Sequence, residues 1–235
     1  MIYKSFSINI TEMENEKKKQ NLSRKKIVNS AIVLFANKGF ESTSTREICK
    51  HAGVNLSLIP YYFGNKDGLY TSIIDSIINY GLTFLQDELT KMNGLPAMTL
   101  DEKIELYRNL LAKYTDFLYS ENVPSSFVVL MIKEQTVSHS KFSEMYAQKI
   151  NILYKALRKI LASILDKKEN DKFIIFEVSS VIGQILSFKI MDRATLPHLG
   201  QDFYTKEDTK KIKKIILSHI DTSLEKMGIV KKTVD

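Results

Sequence analysis

Residues 42–66, STSTREICKHAGVNLSLIPYYFGNK, decide how the rest of this 235-residue chain is read. Two short helical patterns lie there back to back. The break between them falls on Gly53, the residue type that most readily takes the left-handed conformation ending a helix. The first pattern opens at Ser44 with Glu47 three places on, an arrangement in which hydroxyl and carboxylate each satisfy an orphan backbone donor at the helix start. Ile48 and Ala52 then point inward. Val54 follows the glycine as an apolar plug, and Asn55 is placed to cap a second helix with the buried stripe Ile59, Tyr62 and Phe63. Leu56, Ser57 and Tyr61 are left facing outward. Two helices joined by a Gly-containing turn, the second showing small and polar residues to solvent, have the sequence shape of a helix-turn-helix that lays its second helix in the major groove.

Charge points the same way. From residue 17 to residue 66 ten Lys or Arg stand against Glu41 and Glu47, a net of +8, while the whole chain carries only +7. The basic excess therefore belongs to this stretch. A phosphate-contacting surface needs such localised charge, because each neutralised phosphate releases condensed counterions. Lys-rich helix faces are also ordinary solvated surface, so the charge gains weight only from the two-helix pattern beneath it.

With 44% hydrophobic residues, nine Gly and four Pro, and long stretches of 3.6-residue periodicity, the chain reads as all-α. The single cysteine, Cys49, excludes an internal disulfide framework and any multi-cysteine metal site, and reads as a small packing residue. Histidines 51, 139, 198 and 219 lack ligand spacing, so neither zinc nor any other metal or cofactor is indicated. No nucleophile elbow, dinucleotide fingerprint or P-loop is present; FGNKDG lacks the second Gly-Lys-Ser/Thr element. The N-terminus has no apolar run of signal-peptide length, and no later segment reads as a membrane span, so a cytoplasmic protein with no membrane partner is expected. Residues 1–20 are polar and unpatterned and are expected to be a disordered basic extension, with Met13 a natural start. The cluster Lys17 to Lys19 reads as an arm that adds a modest backbone contribution to DNA binding.

Residues 24–37 form an amphipathic helix with the stripe Ile27, Ala31, Leu34 and Phe35, stopped by Gly39. Together with the two short helices it makes a three-helix head over residues 21–66. A long helix over residues 66–89 starts at the head and continues into the second domain, residues 67–230, as the only obvious mechanical link. There, Tyr107, Leu111, Tyr114, Phe127, Met131 and Phe188 are candidates for an apolar ligand pocket, although for any one of them core packing is the better reading. Glu134 falls on the face of Phe127, Leu130 and Met131, either as a pocket acid or as a structural ion-pair partner. Residues 173–191, FIIFEVSSVIGQILSFKIM, are apolar on nearly all sides, and a helix oily all round must be covered twice. A homodimer seam is expected from Val178, Ile182, Gly183 and Leu186 on this helix and Ile212, Ile216 and Ile220 on the last one, giving four helices around a twofold axis; the alternative is a monomer whose own core takes in both helices.

The run GFESTSTREICKHAGVNLSLIPYYFGNKDGLY resembles the DNA-binding region of the TetR family of bacterial transcriptional regulators, with its Gly-aromatic pair, Thr/Ser cluster, Ala-Gly-Val, tyrosine-rich end and Lys-acid-x-Leu. The resemblance implies a dimeric, ligand-responsive repressor. It places Ser44, Thr45 and Arg46 against DNA from the first helix. Asn55, Leu56, Ser57, Tyr61 and Tyr62 follow from the recognition helix, and Lys66 reaches a phosphate. One departure is Pro60, where many members carry Tyr; proline removes a donor and is expected to end or bend the recognition helix. The C-terminal half is similar to the CecR-type subgroup through EQTVSHSKF and GQILSFKIMDRATLPHLG, which implies a drug or xenobiotic response. The expected partners are a palindromic double-stranded operator, a small hydrophobic effector and a second copy of the chain. The alternative is a helical ligand-binding or scaffold protein that turns its basic head on a protein or RNA.

Overall fold

The computed structural model describes the backbone of residues 3–120, 123–136 and 143–229, and side-chain surroundings for residues 21–120, 123–132 and 151–229. Every regular element among them is helical. The chain divides into two compact units, Met1–Ser76 with Val129–Ser138, and Ile77–Val128 with His139–Asp235. The division cuts helix α4 (Lys66–Lys91) after Ser76, ten residues later than the sequence suggests, because the first turns of α4 belong to the core of the head. It also cuts α6 (Ser125–Thr136), so α4 is not the only helix shared by the two units.

In the first unit α1 spans Tyr3–Lys38, extending back through residues for which the sequence reading expects disorder. No Gly or Pro occurs before Gly39, so nothing in that segment interrupts the backbone ladder. Ile27, Ala31, Leu34 and Phe35 are buried as their spacing requires. Gly39 ends the helix at φ 85°, its N–H donating to Phe35 O at 2.8 Å. Thr43, almost fully buried, donates from Oγ1 to Gly39 O at 2.8 Å and so pins the link to α2 (Thr45–Ala52). Ser44 caps α2, accepting from Glu47 N at 3.1 Å. The expected reciprocal bond is replaced, since the Glu47 carboxylate is ion-paired with Lys38. Gly53 sits at φ 64° and ψ 41° and donates back to Cys49 O and Lys50 O, turning the chain into α3 (Leu58–Phe63).

The core of the head closes only with α4. Tyr70 lies edge-on to Phe35 and Phe40, with ring centroids 5.2 and 5.0 Å apart, and Leu69 and Ile73 are buried beside it. Asn65 caps α4 through Oδ1, which accepts from Gly68 N at 2.8 Å. At Gly68 a Cβ would press into the carbonyl oxygen of Phe63, the last residue of α3.

The second unit holds the rest of α4, a 3-10 turn at Met92–Ala97, α5 (Leu100–Leu118), the start of α6, α7 (Ser143–Leu165), α8 (Lys172–Ile190), α9 (Asp192–Leu199) and α10 (Lys206–Lys226). Capping boxes at Thr99–Glu102 and Thr205–Asp208 open α5 and α10. Helix α5 is central, packing on α7 and α10 with Tyr107, Leu110 and Leu111 fully buried. Arg108 pairs with Asp221, and Lys213 with Asp116 at 2.7 Å, which fixes α10 along α5. Gly81 of α4 faces the ring of Phe117, which lies among Tyr80, Phe84 and Tyr114. The short helix α9, with Pro197 inside it, has no counterpart in the sequence reading.

Helix α8 is long and apolar enough to cross a membrane by composition, contrary to the sequence expectation that no segment approaches a span. It packs on α7 and α10 through Ile174, Val178, Val181 and Ile185. Lys189, also buried, donates to Val123 O at 3.0 Å beneath the Tyr119 ring, and burial pushes its pKa down.

Replacing Gly68 by Ala is expected to lower the thermal midpoint followed by far-UV circular dichroism, the overpacked turn costing about 1–3 kcal/mol. An unchanged midpoint would mean that α3 and α4 have room to separate.

Candidate nucleic-acid interface

Short helices α2 and α3 have no independent stability at this length and are held by burying Ile48, Cys49, Ala52 and Ile59, with α1 as their main neighbour. What they do not bury is the candidate interface. Ser44 and Arg46 are exposed and Thr45 half-exposed at the start of α2, and Arg46 has no ion-pair partner among the described residues. Burial pushes the Cys49 thiol pKa up, which suits a packing residue. The Lys38 partner holds the exposed Glu47 carboxyl below its ordinary value, so the one acid in the first turn of α2 is neutralised next to the interface.

On the turn and α3, Asn55, Leu56, Ser57, Pro60 and Tyr61 are exposed, Leu56 by 42% and Tyr61 by 68%. Asn55 Oδ1 accepts from both Ser57 N and Ser57 Oγ at 2.9 Å, so Asn55 caps the turn leading into α3 as its sequence position suggests. Tyr62 is half-buried, its ring 4.9 Å from Tyr61 and 6.1 Å from Phe63. Pro60 does not end α3, which continues to Phe63. It is the third residue of the helix, where the backbone N–H has no intrahelical acceptor, so its missing donor leaves no gap. Instead of ending the helix, Pro60 joins Leu56 and Tyr61 on its outer face.

Lys66 is tied inward. Its Nζ donates to Phe40 O at 3.0 Å and sits 4.2 Å from the centre of the Phe40 ring, holding the α1–α2 link. Two of its three ammonium donors remain for another partner. His51 Nδ1 lies 3.0 Å from Ser30 Oγ, a further tie between α2 and α1 that the sequence reading missed. Side chains of Lys17 to Lys19, and the motif EQTVSHSKF with Glu134, lie outside the described residues.

Of the residues read as a ligand pocket, Tyr107, Leu111, Phe127 and Met131 are buried, and Tyr114 and Phe188 half-buried. Burial and the charge of Glu177 push the Tyr107 phenol pKa up, keeping it neutral. Two clefts open elsewhere in the second unit. One, of about 600 Å³, follows α4 past Leu82, Gln86 and Leu89 to Ile152, and a smaller one lies beside Glu88 and Asn109. None of the six described pocket residues lines either.

The residues read as a dimer seam divide. Val178, Ile212, Ile216 and Ile220 are buried within the protomer, so they are core rather than outer surface. Their i, i+4 spacing identifies an apolar stripe without saying which neighbour covers it. Ile182 and Leu186 are half-buried, and Gly183 is exposed with open space beside it. The outward stripe of α8 is instead Phe176, Ser180, Gly183 and Ile190, with Phe176 68% exposed, and that of α10 is Lys211, Ile215, Ser218 and Thr222.

A family model for bacterial regulatory proteins of the tetR family matches residues 27–73, and one for the C-terminal domain of the HTH-type transcriptional dual regulator CecR matches residues 104–227, more than half of the chain. The chain is 24% identical over 205 residues to the dual regulator CecR of Shigella flexneri, covering 86% of this chain and 92% of that one. It is 30% identical over 73 residues to the biofilm operon negative regulator IcaR of Staphylococcus epidermidis, covering 30% of this chain and 40% of that one. Among solved structures, a transcriptional regulator of Aquifex aeolicus shares the fold at TM-score 0.56 and 18% identity, covering 86% of this chain and 99% of its own. The chain is a DNA-binding transcriptional regulator, not an enzyme, and belongs to the TetR family of bacterial regulatory proteins, with a C-terminal domain of the CecR type.

Proposed function

We propose that the protein acts in the cytoplasm as a homodimer whose two heads grip a palindromic operator and release it when a small apolar effector enters the second unit. The observation that carries this reading is the outer face of α2 and α3: Arg46, without an ion-pair partner among the described residues, beside exposed Leu56, Ser57 and Tyr61, on the most basic stretch of the chain. Two heads related by a twofold axis read half-sites roughly 34–36 Å apart. The outer face of α8, with Phe176 and Ile190 exposed, and Ile215 of α10 supply apolar surface for the second copy. A relative described as a negative regulator favours repression as the output.

Release follows as a population shift. Helices α4 and α6 each contribute residues to both units, so an effector that favours one arrangement of the second unit acts on the head through continuous backbone. A coupling of about 1–3 kcal/mol, roughly 5- to 150-fold in operator affinity, suffices. Tyr107, Leu111, Tyr114, Phe127 and Phe188, all of the second unit, are the residues we assign to effector contact, to be tested by substitution against effector-induced release.

A mobility-shift titration on duplexes from the promoters the protein occupies in the cell tests the operator: binding is specific and falls steeply with salt, and purely non-specific binding would remove the proposal. Arg46→Ala is expected to weaken operator binding by about 1–3 kcal/mol and to reduce the salt slope by about one, with an unchanged melting curve because the side chain is exposed and unpaired.

Light scattering tests the dimer with a contrasting pair. Phe176→Glu is expected to yield folded monomers, whereas Ile216→Asp, at a fully buried site, is expected to unfold the second unit. A Phe176→Glu protein that stays dimeric would move the seam elsewhere.

A further inference from the structure

We propose that the recognition helix selects its operator chiefly through the 5-methyl groups of thymines, and that Leu56, Pro60 and Tyr61 are the residues that read them. This rests on the head docking α3 in the major groove. The outward face of α3 and its leading turn is Leu56, Ser57, Pro60 and Tyr61, all exposed and spaced as one side of a helix. From Leu56 to Phe63 the sequence LSLIPYYF contains no Arg, Lys, Asn or Gln, the side chains that read guanine or adenine through paired hydrogen bonds.

The nearest such side chain, Asn55, is already spent. Bidentate recognition of adenine requires its carbonyl oxygen and its amide nitrogen together, and both lone pairs of Oδ1 are taken by Ser57 N and Ser57 Oγ at 2.9 Å. The same contact occupies the Ser57 hydroxyl proton. Arg46 stands on α2, the helix that crosses the phosphate backbone in this docking geometry, and therefore serves position rather than sequence. What the face offers to base edges is an isobutyl group, a pyrrolidine ring and a phenol ring, with a single phenolic hydroxyl. In the major groove the apolar feature that distinguishes one base from another is the thymine methyl. The operator half-site is accordingly rich in A·T pairs under α3.

The test uses the full-length protein to enrich binding sites from a pool of random-sequence duplexes. The best enriched duplex is then resynthesised with deoxyuridine in place of thymidine, or with 7-deazaguanine in place of guanine. Loss of each contacted methyl is expected to weaken binding about fourfold, and loss of two or more about tenfold or beyond, while 7-deazaguanine changes affinity by less than about twofold. Leu56→Ala, at an exposed position, is expected to shrink the difference between thymidine and deoxyuridine duplexes. Equal affinity for the two, with the enriched duplex still preferred over a scrambled one, overturns the methyl readout and leaves operator binding standing. A guanine penalty larger than the deoxyuridine penalty overturns it as well. A pool that never enriches overturns sequence-specific binding itself, and this inference with it.

Discussion

Helices of eight and six residues do not persist in water, because the cost of nucleating a turn is recovered only over a longer run or by packing. The head therefore depends on one closure: Tyr70, from α4, meeting Phe35 and Phe40 edge-on while Leu69 and Ile73 fill the space beside it. Lys66 supports the same closure from the first turn of α4, its ammonium on the Phe40 ring and carbonyl. Remove α4 and the remaining three helices lose the wall they are built against. DNA binding and the start of α4 are thus one structural unit, and any change in the course of α4 is felt by the helices that present Arg46 and Tyr61.

This closure also explains why the boundary between units falls after Ser76 instead of at the start of α4. A domain limit drawn at a loop assumes that connections carry no core residues, whereas here the first three turns of a connecting helix carry several of the most buried side chains of the head. Helix α4 therefore runs without a break from the core of the head into the second unit. A regulator that must transmit a bound effector's preference has use for that continuity, since a flexible tether would average the preference away.

Most of the head was legible in the sequence because its determinants are local. The left-handed Gly53, the Ser44 cap and the stripe of Ile27, Ala31, Leu34 and Phe35 depend on neighbours within a few residues, and all are found as read. Failures arose where a residue's role depends on a partner distant in sequence. Glu47 was read as half of a capping box, but the carboxylate takes Lys38, a stronger partner brought close by the fold. Lys66, which the family resemblance assigns to a phosphate, also has a structural tie to Phe40 that the sequence does not reveal. With Asn55 as the cap, Pro60 is the fifth helical residue, where it would break the ladder; the regular helix starts two residues later, at Leu58, which makes it the third, where a missing donor costs nothing. In the second unit periodicity found the apolar stripes of α8 and α10 but could not distinguish the protomer's own core from a surface for another copy, and so placed Val178, Ile212, Ile216 and Ile220 on the wrong side.

Helix α8 shows why that distinction matters physically. Its inner side is closed by Ile174, Val178, Val181 and Ile185, and the buried ammonium of Lys189 is held by the Val123 carbonyl and the Tyr119 ring. Burying a cation on one hydrogen bond is unfavourable compared with leaving it in water, as the downward push on its pKa records. The same bond ties the end of α8 to Val123, two residues before α6 begins at Ser125. The outer side of α8 has no such fastening: Phe176 and Ile190 face outward around an open Gly183. One helix therefore carries a side specified by polar geometry and a side specified only by shape and apolar area. Polar geometry fixes a register within the chain, while an apolar face is specified only by the shape of what covers it.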